Sequence, residues 1–151
     1  MAISRGSGTE IIRSAHFEDI DNTPVRTLIF GVQHHIYTVL SLIVYCDAVQ
    51  TAGNKFYLFI TGYDSIGGTT AQEIRLMKQP FSAAGETFIW NDKFSFNGHE
   101  PTDFTGPMDD ATKQNAIADQ GSSVAQKLGC NTDQAADSFE VHVTYIDQNN
   151  A

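Results

Sequence analysis

Apolar and polar residues alternate with period two along much of this chain, the pattern of strands that bury one face. The alternation is cleanest at Phe139–Ile146, where Phe139, Val141, Val143 and Tyr145 interleave with Glu140, His142 and Thr144. Glu73–Lys78 sets Ile74 and Leu76 against Glu73, Arg75 and Lys78, a half-buried strand. Ile36–Ala48 differs: Ile36, Thr38, Leu40, Leu42, Val44 and Cys46 alternate with Tyr37, Val39, Ser41, Ile43 and Tyr45. Both sets are largely apolar, which predicts a strand covered on both sides. Lys55–Tyr63 is a second strong strand, and Thr9–Phe17, Arg26–Val32 and Ser122–Cys130 are weaker ones. Glu86–Trp90 and Lys93–Phe96 are short aromatic strands split by Asn91 and Asp92, a hairpin turn or a bulge.

Turn chemistry marks Asp19–Pro24, Thr51–Lys55, Pro80–Gly85 and Asn131–Asp137, and Ser65–Thr70 is a Gly-rich, mobile loop. Gly98–Gly121 is a long connection. Within it Met108–Gln120 carries helix formers behind Asp109 and Asp110, predicting one short helix. Eight or nine short strands at this spacing predict an all-β fold, an antiparallel β-sandwich of jelly-roll-like form. Connections this tight leave no room for βαβ crossovers. The expected organisation is a flexible N-terminal arm, residues 1–8, and a single β-sandwich domain, residues 9–151. Ile36–Ala48, Lys55–Tyr63 and Phe139–Ile146 are its expected central strands. Phe81, Phe88, Trp90, Phe94 and Phe104 exceed what one small core holds, which predicts a homo-oligomer.

Charge narrows the choice of partner. The 151 residues carry a net charge of −9, which argues against a nucleic-acid surface and against an anionic membrane. Only 18% of residues are charged, so the surface is built largely of neutral polar groups. Cys46 and Cys130 are too few for a disulfide framework, and Cys46 in its apolar run reads as a buried free thiol. The N-terminus shows no apolar targeting segment, and the run Ile36–Cys46 is far short of a membrane span, so synthesis in a cytoplasm is expected.

Candidate chemistry is sparse. No phosphate-binding loop, dinucleotide fingerprint or nucleophile elbow occurs. His34 and His35 start a strand and point to opposite faces, so they do not share a metal, while His16, His99 and His142 are scattered. Glu100, Asp103, Asp109 and Asp110 lack calcium-loop spacing and read as a solvated acidic loop. Phe56, Tyr57, Phe59, Tyr63, Phe88, Trp90, Phe94 and Phe96 suggest a carbohydrate platform, but strand alternation turns most of them inward. No catalytic residue, cofactor or metal ligand set is predicted, and the chain reads as a non-enzyme.

The order of segments, from Ile36–Ala48 and Phe56–Tyr63 to a closing Phe139–Ile146, resembles small β-sandwich structural proteins of tailed bacteriophages. The phrases Met1–Ser14, Gly31–Ser41 and Asp103–Thr112 are similar to virion proteins of cyanophages and other marine phages. The resemblance implies a virion location, on the capsid surface, with assembly in the host cytoplasm. It implies the major capsid protein as partner, a trimer as the oligomer, and a role as a capsid decoration (cement) protein. Neck, tail or fibre-adaptor proteins are alternatives, and a carbohydrate or receptor-binding module is another. Partner contact is expected on the arm Met1–Arg13 and on Gly98–Gly121, with Ile3, Arg5, Arg13, Phe104 and Met108 as contact residues.

Overall fold

A computed structural model describes residues 8–64, 69–101, 111–112 and 123–150. Its elements with described bounds are eleven strands: β1 (Glu10–Ile20), β2 (Arg26–Phe30), β3 (His35–Ala48), β4 (Lys55–Asp64), β5 (Thr69–Pro80), β6 (Thr87–Trp90), β7 (Phe94–Asn97), β8 (His99–Pro101), β9 (Ser123–Ala125), β10 (Lys127–Thr132) and β11 (Ser138–Asn149). Sheet one has the order β1-β11-β3, with β6 and β7 both paired to β3. Sheet two has the order β2-β10-β4-β5, and β8-β9 forms a separate ribbon. Every pairing is antiparallel.

The topology is that of a rolled hairpin. With β6 and β7 counted as one interrupted strand, first pairs with last: β1 with β11, β2 with β10, β3 with β6 and β7, β4 with β5. This is the jelly-roll arrangement of a β-sandwich, so the expected fold class holds. The expected short helix lies almost wholly outside the described residues; only Ala111 and Thr112 are described, exposed and helical. The strands are more numerous than predicted, and not all short: β3 has 14 residues and β11 has 12.

Several local expectations change. β3 is not covered on both sides. Its core face is Tyr37 and Val39, then Leu42, Val44 and Cys46, while Ile43 and Tyr45 are exposed. A register shift against β11 between Thr144 and Tyr145 leaves Leu40 as the extra residue, and the buried parity switches there. Apolar residues therefore occur on both parities although one face is buried. Asn91 and Asp92 do not close a hairpin: β6 and β7 continue along the same strand β3, offset by one residue, the geometry of a bulge. Ser122–Cys130 is not one strand, because the chain breaks at Gln126 between β9 and β10.

The core packs Phe139 edge-on against Phe81, with ring centroids 4.9 Å apart, and against Phe56 at 5.8 Å. Phe81 is thus a core residue, and Phe88, Trp90 and Phe94 pack half-buried against the same cluster. This removes four of the five residues expected to be surplus; Phe104 lies outside the described residues. Cys46 and Cys130 are buried free thiols. Burial pushes Cys130 up to about 12 and raises Cys46, so both stay protonated at neutral pH.

The two ends of the sandwich differ. At one end the 49–54 and 133–137 connections are tied together by buried Asp137, which accepts from the Gln50 N–H (2.8 Å), the Gln134 N–H (3.0 Å) and the Asn54 amide (3.0 Å). Asp133 accepts from the Lys55 N–H and the Tyr57 hydroxyl, each at 2.7 Å. The opposite end, at His35, holds Gly8, the start of β1, the Gly31–His34 turn, the β8-β9 ribbon and the end of β11.

Candidate interaction surface

Three backbone segments meet at the His35 end. The Gly31 N–H donates to the Gln126 carbonyl (2.7 Å), the Gln126 N–H to the Gly98 carbonyl (2.8 Å) and the Gly98 N–H to the His35 carbonyl (2.8 Å). A Cβ on Gly98 would lie 1.8 Å from the Val32 oxygen, and one on Gly31 would lie 2.0 Å from the Gly98 oxygen. Only glycine permits this approach. The crossing roots the β8-β9 ribbon between the two sheets, because β7 enters it from sheet one and β10 leaves it into sheet two.

Around this root the turn is polar inside and apolar outside. The Val32 N–H donates to the Tyr37 hydroxyl (3.1 Å), and His35 Nδ1 lies 2.7 Å from Asp147 Oδ1. Burial raises the Tyr37 phenol, partly offset by that backbone N–H. Phe30 is 60% exposed and Val32 is 49% exposed, with the Lys127 ammonium 5.2 Å above the Phe30 ring. Two exposed apolar side chains thus stand two residues apart at the backbone crossing.

The outer face of sheet one forms rows across its strands. One row runs Ile12, Ile146, Thr38, Ser95, another Ser14, Thr144, Ser41, and a third His16, His142, Ile43, Ile89. Hydroxyls pair across the strands: Ser14 with Thr144 at 3.2 Å and Thr38 with Ser95 at 2.9 Å. Ile12, Ile43, Tyr45 and Ile89 are exposed on this face. Beyond its edge, Leu76, Met77, Phe88 and Trp90 line a groove of about 380 Å³.

Of the expected contact residues, Arg13 is exposed on β1, opposite Tyr145. Residues Glu10–Arg13 are thus strand, already paired to β11, rather than free arm. Ile3, Arg5, Phe104 and Met108 lie outside the described residues, as do Asp103, Asp109 and Asp110. Of the aromatic set, Phe56, Phe59 and Phe96 are buried and Tyr57, Phe88, Trp90 and Phe94 are half-buried, while the Tyr63 side chain lies outside the described residues. Phe30 and Val32 were readable only as part of a strand. Their exposure follows from where the glycine crossing stops β2.

The sequence matches no family model and no curated protein. Among solved structures, the chain is similar to a disulfide-linked pilus of Bacillus endospore appendages, at 11% identity and a TM-score of 0.42, covering 100% of this chain and 97% of that one. It is also similar to a chain of infectious bursal disease virus strain Gx, at 11% identity and a TM-score of 0.45, covering 96% of this chain and 33% of that one. A mutant VP2 protein of the same virus, from derived T=1 particles, gives 12% identity and a TM-score of 0.36 over 99% of this chain and 38% of that one. The chain spans about a third of the virus chains' length. Likenesses of this size carry no function to the chain.

Proposed function

We propose that this chain is a non-enzymatic virion structural protein, a capsid decoration protein that binds the outer capsid surface and stabilises the shell. A protein that binds the assembled shell and not the separated subunits shifts the equilibrium toward the shell by mass action. The observation that carries the reading is the exposed pair Phe30 and Val32 at the glycine crossing. Gly8, the last residue of the arm, and the β8-β9 ribbon, which brackets residues 102–122 of the long connection, stand at that same end. The phage-like phrases of the sequence support a virion as the setting, with the major capsid protein as partner and a trimer as the working oligomer. In this reading the arm, residues 1–8, supplies Ile3 and Arg5, Arg13 flanks it on β1, and the long connection supplies Phe104 and Met108.

The test is occupancy on shells that lack the native protein. The double variant Phe30→Ser, Val32→Ser should lower occupancy at least tenfold, because buried apolar anchors dominate such contacts. Its melting temperature should stay within about 2 °C of the parent, since both residues are exposed. Unchanged occupancy would remove the His35 end from the contact. About a dozen copies per particle, instead of hundreds, would assign the chain to a neck or tail ring.

A further inference from the structure

The register of sheet one brings together side chains that are far apart in sequence. His16 lies directly opposite His142, and Glu18 and Asp19 stand opposite Glu140 in the irregular stretch of β1 between Phe17 and Ile20. Directly opposed residues have Cβ atoms about 5 Å apart, and same-face neighbours two residues along a strand are about 7 Å apart. His16 and His142 therefore stand side by side on the outer face, with the irregular stretch of β1 next to them. Donor atoms of His16, Glu18 and Glu140 all lie within 4.8 Å of one another. His16 Nε2 is 3.5 Å from Glu18 Oε1, and the His16 and His142 ring centroids are 6.2 Å apart, tilted by 44°.

We propose that His16, Glu18 and Glu140, with His142 beside them, bind one divalent transition-metal ion. Zinc–nitrogen and zinc–oxygen bonds of about 2.0–2.1 Å at tetrahedral angles place donors about 3.3–3.4 Å apart. The His16–Glu18 pair is already at that spacing. The widest pair closes by rotation of side chains on a solvent-facing surface. The charges at this spacing also favour a cation. Glu18 and Glu140 bring two carboxylates within 4.8 Å across adjacent strands, and like charges so placed are destabilising. An ion between them turns that repulsion into attraction. The mixed imidazole and carboxylate donors select zinc, nickel or copper over calcium and magnesium, which take oxygen ligands. The site faces solvent at one end of the row that continues to Ile43 and Ile89. A metal held there by three side chains keeps a position for water or for a carboxylate or imidazole of another molecule.

The experiment titrates the full chain, freed of metal with a chelator, with zinc chloride in a calorimeter. Saturation at one equivalent in the micromolar range is expected, with no saturable heat from calcium chloride. His16→Ala and Glu140→Gln should each weaken zinc binding at least tenfold, since losing even an outer-shell partner of a ligand costs about that much. In NMR spectra zinc should shift the ring signals of His16 and His142 and leave those of His34 and His99 in place. Both replaced side chains lie on the outer face, so circular dichroism of the variants should match the parent. No saturation by zinc at about millimolar concentration would overturn the proposal. So would undiminished binding in His16→Ala, which would put the ion elsewhere.

Discussion

Gly98→Ala is the sharpest test of how the two sheets and the β8-β9 ribbon are joined. The added Cβ would stand 1.8 Å from the Val32 oxygen and 2.7 Å from its carbonyl carbon, both backbone atoms that no rotamer change can move. The two backbone segments must separate by more than 1 Å to restore ordinary contact. That movement strains three backbone hydrogen bonds of 2.7–2.8 Å: Gly31 to Gln126, Gln126 to Gly98 and Gly98 to His35. At about 0.5–1.5 kcal/mol each, plus the overpacking strain, the loss is about 3–5 kcal/mol. For a domain of this size that is about 10–15 °C in melting temperature. Differential scanning calorimetry reads it directly. Gly85→Ala is the control, with open space around its Cβ but φ of +89°, so it should cost only about 1–2 kcal/mol. A Gly98→Ala protein melting within about 3 °C of the parent would refute the close crossing.

Three further outcomes are expected. Val143→Asp places an unpaired charge at a position with no exposure in β11 and should abolish soluble expression, which a fractionated lysate shows. Asp137→Ala orphans the Gln50 and Gln134 N–H groups and should cost about 2–5 kcal/mol in urea titrations. The Asp133 carboxyl is opposed by burial, but the Tyr57 hydroxyl, the Lys55 N–H and the Lys55 and Arg75 charges together hold it below its ordinary range. Its contribution to stability is therefore complete above the unfolded value of about 3.9 and is lost as pH falls through the lower folded value. Tyr57→Phe should thus be less stable than the parent at neutral pH, with the gap shrinking below about pH 4. A gap independent of pH would exclude the hydrogen bond as its cause.

What could be read from the sequence follows the range of the forces involved. Phe139–Ile146 was legible because its alternation runs unbroken, and the observed strand extends it to Asn149. That extension turns Asp147 and Asn149 inward, where Asp147 meets His35, a pairing across 112 positions that periodicity cannot show. The parity change at Leu40 was hidden for the same reason. A bulge is defined by the partner strand, and Thr144–Tyr145 lies about a hundred residues away. The break at Gln126 depends on backbone capture by Gly31 and Gly98, both remote. The contact residues proposed from the arm and the long connection rested on composition, which indicates a role but not a position. His16 and His142 looked scattered because only the strand register makes them neighbours.

The one-residue offset between β6 and β7 has a consequence for polymer growth. A strand recruited from another molecule needs an uninterrupted ladder of free N–H and C=O groups to template on. On the β3 side of sheet one that ladder is broken at Asn91–Lys93 into two runs of four residues. The 11 residues of β1 form the longer lateral template on this sheet. Two copies joined through β1 about a two-fold axis would each consume that template and expose only the interrupted side. The interrupted side of sheet one is therefore the poorer template of the two, because a recruited strand finds no more than four residues in one register along it.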